Sequence, residues 1–225
     1  MLDLETLDTR SSSIVLSIGA CVFNDNKLNT EQELRSNFFY EELSISEQEK
    51  NGRTISTSTL AWWLNQPDPG LKKFFNNKKS NITNSLENFH YFIVNNNSKI
   101  EGIWSNGPSF DMNIIESLYN SFNKTFCMDF RKWFDFRTAK LVRNLLKIPE
   151  NSFTGTRHNA LDDAINQALS VNQILYYLTT NNINYPKMNV NKPEPISRKR
   201  NLEIDDSEYI GPRIEDLDLI IDMND

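Results

Sequence analysis

The chain reads as an α/β domain: a mixed sheet of five short strands flanked by helices. Two observations carry this reading. Short apolar or alternating runs recur near residues 2–6, 14–23, 37–43, 100–104 and 133–136, as strands require. Between and after them lie longer segments with apolar residues at helical spacing, separated by capping and turn residues.

Leu2-Asp3-Leu4-Glu5-Thr6 opens the chain as a strand. Residues two apart in a strand share a face, so Asp3 and Glu5 project together while Leu2 and Leu4 face the other way. On its own an Asp-x-Glu pair fits a solvated edge strand equally well. The apolar run Ile14 to Phe23 is a hairpin partner that moves the pair to the middle of a sheet. Asn37 to Leu43 supplies a third strand. Ser56-Thr-Ser-Thr caps a helix reaching Asn65, stopped by Pro67-Asp-Pro-Gly70. Residues 83–95 form a helix with Leu86, Phe89, Ile93 and Val94 in phase. Ile100 to Trp104 is a short strand, Asn106-Gly-Pro a turn, and Asp111 opens the next helix. A strand at Trp133 to Phe136 leads into a helix from Arg137 to Lys147. The last helix runs from Asn159 to about Thr180, with Ala160, Ala164, Ala168, Val171 and Leu175 on one stripe.

Past residue 183 the composition changes. Pro186, Pro193 and Pro195 mark a linker, with Arg198-Lys-Arg200 as a basic knot. Residues 1–183 are therefore expected to fold, with 184–225 a linker and an acidic, mobile tail. Nine acids against one arginine give residues 203–225 a charge of −8, so the net −6 of the chain leaves +2 on residues 1–202. Such a mildly positive body suits transient handling of a polyanion rather than tight duplex binding. Ile214 to Met223 mixes apolar and acidic residues: it solubilises, docks on a protein partner, or covers a nucleic-acid groove as a mimic. Lys72, Lys73, Lys78 and Lys79 are candidates to steer a strand, though a solvated charged face has the same composition.

Two cysteines, Cys21 and Cys127, form neither a metal pattern nor a disulfide framework. No apolar run reaches the roughly 18 residues of a membrane span, and the acidic start is unlike a signal peptide. The expected location is the cytoplasm (a host's, if phage-encoded), with no membrane partner.

Five side chains carry the chemistry. Asp3 and Glu5 share a strand face. Asp111 closes Trp104-Ser-Asn-Gly-Pro-Ser-Phe-Asp, where a strand and turn deliver it to the sheet edge. Asp at the start of a helix is also common for capping alone. His158 precedes the long helix, and Asp162 and Asp163 lie in its first turns; helical phase does not choose between them. The second histidine, His90, sits among Phe89, Tyr91 and Phe92 and reads as structural. Several hard oxygen ligands suit divalent cations, and an imidazole takes a proton from water near neutral pH.

The segments Leu2-Asp-Leu-Glu-Thr-Leu7, Val15-Leu-Ser-Ile-Gly-Ala20, Leu60-Ala-Trp-Trp-Leu64 with Gln66, Trp104 to Asp111, Asp135-Phe-Arg-Thr138 and His158-Asn-Ala-Leu-Asp-Asp-Ala164 resemble the DEDDh (DnaQ-like) 3′–5′ exonucleases of the ribonuclease H-like superfamily. Within them the chain looks closest to the phage exonuclease A type and the related 3′–5′ exoribonuclease-like family. The resemblance spans residues 1 to about 180. It implies a metal-dependent exonuclease that releases nucleoside 5′-monophosphates from 3′ ends, with single-stranded DNA favoured and RNA the alternative. It implies two divalent cations, Mg²⁺ or Mn²⁺, held by Asp3, Glu5, Asp111 and Asp163. The five-residue step from the family's histidine selects Asp163 over Asp162. His158 becomes the general base, and Thr6, Leu7 and Phe110 touch the terminal nucleotide. Arg137 is expected to hold structure rather than phosphate. Only Met1 and Leu2 precede the first carboxylate, fewer than in relatives, which predicts a less rigid first ligand pair or a start further upstream. A non-catalytic binding module and an endonuclease of the same fold are the rival classes.

Overall fold

A computed structural model describes residues 1–67, 70–76, 79, 81–96 and 100–181. Lys78, the linker and the acidic tail lie outside the described residues. Met1–Ile183 forms one compact unit.

Strand β1 (Leu2–Thr6) pairs antiparallel with β2 (Val15–Cys21), and β2 with β3 (Phe38–Glu42). Helices α1 (Glu31–Leu34) and α2 (Ile45–Lys50) follow β2 and β3. They are too short to show periodicity, and the sequence reading does not contain them. Next come α3 (Thr57–Leu64), α4 (Lys73–Asn76) and α5 (Ile82–Asn96). Strand β4 (Ile103–Ser105), α6 (Asp111–Ser121), β5 (Trp133–Asp135), α7 (Phe136–Leu146) and α8 (Ala160–Thr180) complete the unit.

The five expected strands are present, but they form two sheets rather than one. Order β1-β2-β3 makes a three-stranded antiparallel sheet, and β4-β5 a parallel pair. Strand β4 lies beside β1. Two groups on the β4-facing edge of β1 are taken by side chains instead of a ladder. The Leu4 N–H donates to Asp111 Oδ1 at 3.2 Å, and the Thr6 carbonyl accepts from the Trp63 indole at 2.8 Å. The opposite edge is fully used, from the Met1–Cys21 exchange to Leu7 N–H on the Ile14 carbonyl.

Burial follows the strand alternation. Leu2, Leu4 and Ile18 pack against α5 and α6 through Leu86, Phe89, Ile115 and Leu118. The other face of β1–β2 meets α8, whose Ala164, Ile165, Ala168 and Val171 pack with Met1 and Cys21. Gly19 is what lets α8 come so close: a Cβ there would stand 2.1 Å from the Ala160 carbonyl carbon. The missing side chain brings the start of α8 down onto β2, beside Asp3 and Glu5. A third cluster joins Leu7, Ile14, Leu16, Trp63, Leu71 and Phe74 beneath the α3–α4 segment. Among the described residues no helix is long and apolar enough to cross a membrane.

Candidate active site

Four elements deliver side chains to the C-terminal end of β1. Strand β1 offers Asp3 and Glu5 on the face that meets α8. Helix α6 begins with Asp111, 3 % exposed, whose carboxylate reaches back to the Leu4 N–H. Helix α8 is capped by Asn159, whose side chain accepts from Leu161 and Asp162 N–H groups. That cap leaves Asp163 free to turn toward β1. His158, just before the cap, has a left-handed backbone (φ 61°).

The side chains converge. One ligand atom each from Glu5, His158 and Asp163 lies within 4.8 Å of the others. Asp163 Oδ2 also accepts from the His158 N–H at 2.8 Å. Asp3 Oδ1 accepts from the Gln167 carboxamide at 2.8 Å. Asp162 is differently engaged, with Arg35 at 2.7 Å and the Thr156 N–H at 2.9 Å. The two neighbouring aspartates thus part company at the start of one helix, one toward β1 and one toward a surface ion pair.

Burial and like charge make this cluster hard to ionise. Burial, then the charges of Asp111, Glu5 and Asp163, push Asp3 well above the carboxylate range, and Gln167 opposes them. Burial and then Asp163 raise Glu5 to about 8, against Lys73. Burial raises Asp111 to about 7, against the N–H bond from Leu4 and the Arg137 charge. Burial also raises Asp163, with the His158 N–H pulling it down. Four carboxylates, Glu5 and Asp111 buried and Asp3 and Asp163 partly so, form a hard-oxygen donor set that divalent cations would satisfy. The residues present fit such ions.

A cleft of 360 Å³ adjoins the acids, lined by Glu5, Thr6, Ser58, Thr59, Trp62 and Phe110 among others. Thr6 and Phe110, expected at the terminal nucleotide, line this cleft. Leu7 does not: its side chain is 1 % exposed within the third core cluster, and its N–H and carbonyl are bonded to Ile14 and Ser56. Three nearby residues have no role beside the acids in the sequence reading, although Trp62 lies in one of its motifs and Lys73 among its candidate strand-steering lysines. Trp62, 45 % exposed, sets its ring edge-on to His158 at 4.8 Å. Gln167 was readable as the residue one turn after Asp163 on α8. Lys73, which donates to the His158 carbonyl at 3.0 Å, carries no local signal. Lys79 pairs with Glu42 rather than lining a basic path. Arg137 stands against the Gly107 backbone.

A larger crevice, 580 Å³, lies at the other end of β1, around Met1, Leu2 and Trp104. It contains none of the five residues above.

A family model described as Rv2179c-like, the 3′-5′ exoribonuclease Rv2179c-like domain, matches residues 1–175. No curated protein matches the chain.

Proposed function

Because the chain belongs to the Rv2179c-like 3′-5′ exoribonuclease domain family, we propose that it removes nucleotides one at a time from the 3′ ends of single strands, releasing nucleoside 5′-monophosphates. The reading is carried by the convergence of Glu5, His158 and Asp163 within 4.8 Å beside a cleft open to solvent. Asp3, Glu5, Asp111 and Asp163 would together hold two divalent cations. Mg²⁺ or Mn²⁺ suits this all-oxygen set. When bound, the cations supply positive charge that offsets the four carboxylates and the phosphate.

His158 takes the proton of the attacking water on a ring nitrogen as the water oxygen bonds to phosphorus and the P–O3′ bond breaks. Trp62 and Trp63, with ring centroids 4.8 and 6.1 Å from the imidazole, confine that ring. Thr6 and Phe110 border the terminal nucleotide, and the exposed face of Trp62 is available for base stacking. In this reading the chain is a DEDDh nuclease of the ribonuclease H-like type, nearest in pattern to the phage exonuclease A group. Residues 1–183 are its catalytic unit. The family description favours RNA as the polymer over the DNA expected from sequence pattern.

The test offers end-labelled single-stranded RNA and DNA of matched sequence, free or blocked at the 3′ end, with Mg²⁺, with Mn²⁺ and with chelator. Stepwise 3′ shortening of RNA, only with a cation and only from a free end, is the expected outcome. Faster loss of the DNA would reverse the polymer choice, and cleavage of the blocked strand would mean an endonuclease. Retention of the strand without cleavage would leave a binding module.

A further inference from the structure

We propose that Lys73 is a positioning residue: its ammonium locks the His158 loop onto the site from a segment outside all the acidic motifs. The proposal rests on the general-base role given to His158 above.

The starting observation is backbone strain. Among the described residues, three non-glycine residues have positive φ: Asn123, Lys147 and His158. Lys147 is the C-cap of α7, and Asn123 follows the C-cap of α6, where a left-handed residue is ordinary. His158 is at the wrong end of a helix for that explanation. A left-handed residue bearing a Cβ persists only where its surroundings hold it.

The holds on His158 come from three elements. Asp163 on α8 accepts its N–H at 2.8 Å. Trp62 and Trp63 on α3 meet its ring edge-on. Lys73, at the start of α4, donates to its carbonyl at 3.0 Å. With N–H and carbonyl both fixed, the peptide planes on either side of His158 cannot turn, and the two indoles limit the ring itself.

The choice of acceptor is informative. Lys73 is half-buried, lies over the Phe74 ring at 4.8 Å, and feels the charges of Glu5, Asp162 and Asp163. An ammonium so placed would be expected to pair with a carboxylate. It gives its hydrogen bond to a backbone carbonyl instead. The α3–α4 segment therefore acts as a brace for the histidine loop, and the acids are left to their cations.

Two variants test this, Lys73→Met and Lys73→Arg, each in the full chain. Hydrogen–deuterium exchange over residues 153–161 is measured without cation or substrate, and kcat and KM are measured on the labelled strand. Lys73→Met is expected to speed exchange in that segment about tenfold. Its kcat should fall on the order of ten- to a hundredfold with KM unchanged. Lys73→Arg, which keeps a charged donor, should restore both toward the parent. Unchanged exchange in Lys73→Met would overturn the proposal. So would a loss seen only in KM, which would make Lys73 a substrate contact, or a shift only in the cation half-saturation, which would make it a counter-charge. Should Lys73→Met not fold, exchange faster than the parent in Lys73→Arg would equally count against the brace. The exchange result stands apart from turnover, so an inactive parent protein would sink the nuclease reading without deciding this one.

Discussion

The two ends of β1 face cavities of opposite character. At Met1 and Leu2 the crevice is large, 580 Å³, and lined by Phe92, Ile93 and Ile100 together with Asn24, Asn26 and Asn29, with the exposed Asp25 and Glu101 its only acids. At Glu5 the cleft is smaller, 360 Å³, yet it adjoins four crowded carboxylates, two of them buried, and an imidazole. Volume marks where packing stops. A costly concentration of like charge marks where something positive must arrive. In the proposed reading the same strand thus serves stability at one end and chemistry at the other, three residues apart.

Substitutions at adjacent positions should break that division most sharply. Asp3→Asn and Asp163→Asn are expected to abolish turnover, while their melting temperature in chelator holds or rises because a buried like charge is gone. Leu2→Ala should do the reverse. It removes a side chain 1 % exposed, at about 2–5 kcal/mol of stability, and leaves kcat per folded molecule unchanged. Calorimetry and single-turnover rates on the three proteins decide the matter; residual full activity in either aspartate variant refutes the ligand assignment. His158→Ala comes next, with a rate lowered by roughly 10²–10⁴ and a flattened acid limb. An unaltered pH profile would acquit the histidine.

A smaller effect is read in stability without any substrate. Glu5 and Asp111 have folded-state values of about 8 and about 7, above the ordinary carboxylate range. A group whose folded value is raised binds protons more readily in the native state, so its contribution is present at low pH and lost as pH rises toward the folded value. In chelator the melting temperature should therefore fall between about pH 5 and 8. Saturating Mg²⁺ or Mn²⁺ should flatten that fall. Asp8 works in the opposite sense but lower down: although buried, hydrogen bonds from Arg10 and Thr54 hold it at about 2. A chelated protein whose melting temperature is flat across the upper window would mean the acids are not strained.

How much of this is legible in the sequence depends on distance along the chain. Asp3 and Glu5 are two apart in a strand, and the alanine stripe of α8 repeats every turn, so local periodicity exposes both. Asn159 as a cap is also a local signal. The four- and six-residue helices α1 and α2 repeat nothing and stay hidden. The single five-stranded sheet is over-read because nothing local reveals that Asp111, 107 residues away, takes the Leu4 N–H. Leu7 is misplaced for a related reason, since motif membership is blind to which face the strand turns inward. Trp62 and Lys73 reach His158 only through tertiary folding, and no spacing rule connects residues 85 apart.

The mildest predicted effect concerns Asp162, and it separates the two aspartates most economically. Asp162 binds Arg35, whose side chain is 36 % exposed, and the Thr156 N–H, and its carboxylate packs where a Gly155 side chain would otherwise stand. An ion pair with one partner exposed to this degree contributes about 0–1 kcal/mol, because solvent screens it and two side chains lose freedom to form it. Asp162→Asn keeps a carbonyl oxygen for the Thr156 N–H and loses the charge and the oxygen that accepts from Arg35. Its melting temperature should fall by a few degrees at most, and kcat should stay within a fewfold of the parent at saturating cation. Raising salt should shrink the remaining stability difference. If instead Asp162→Asn is as dead as Asp163→Asn, the cation is drawn from the Arg35 side of α8, and the charge-crowded end of β1 is no longer where the chemistry happens.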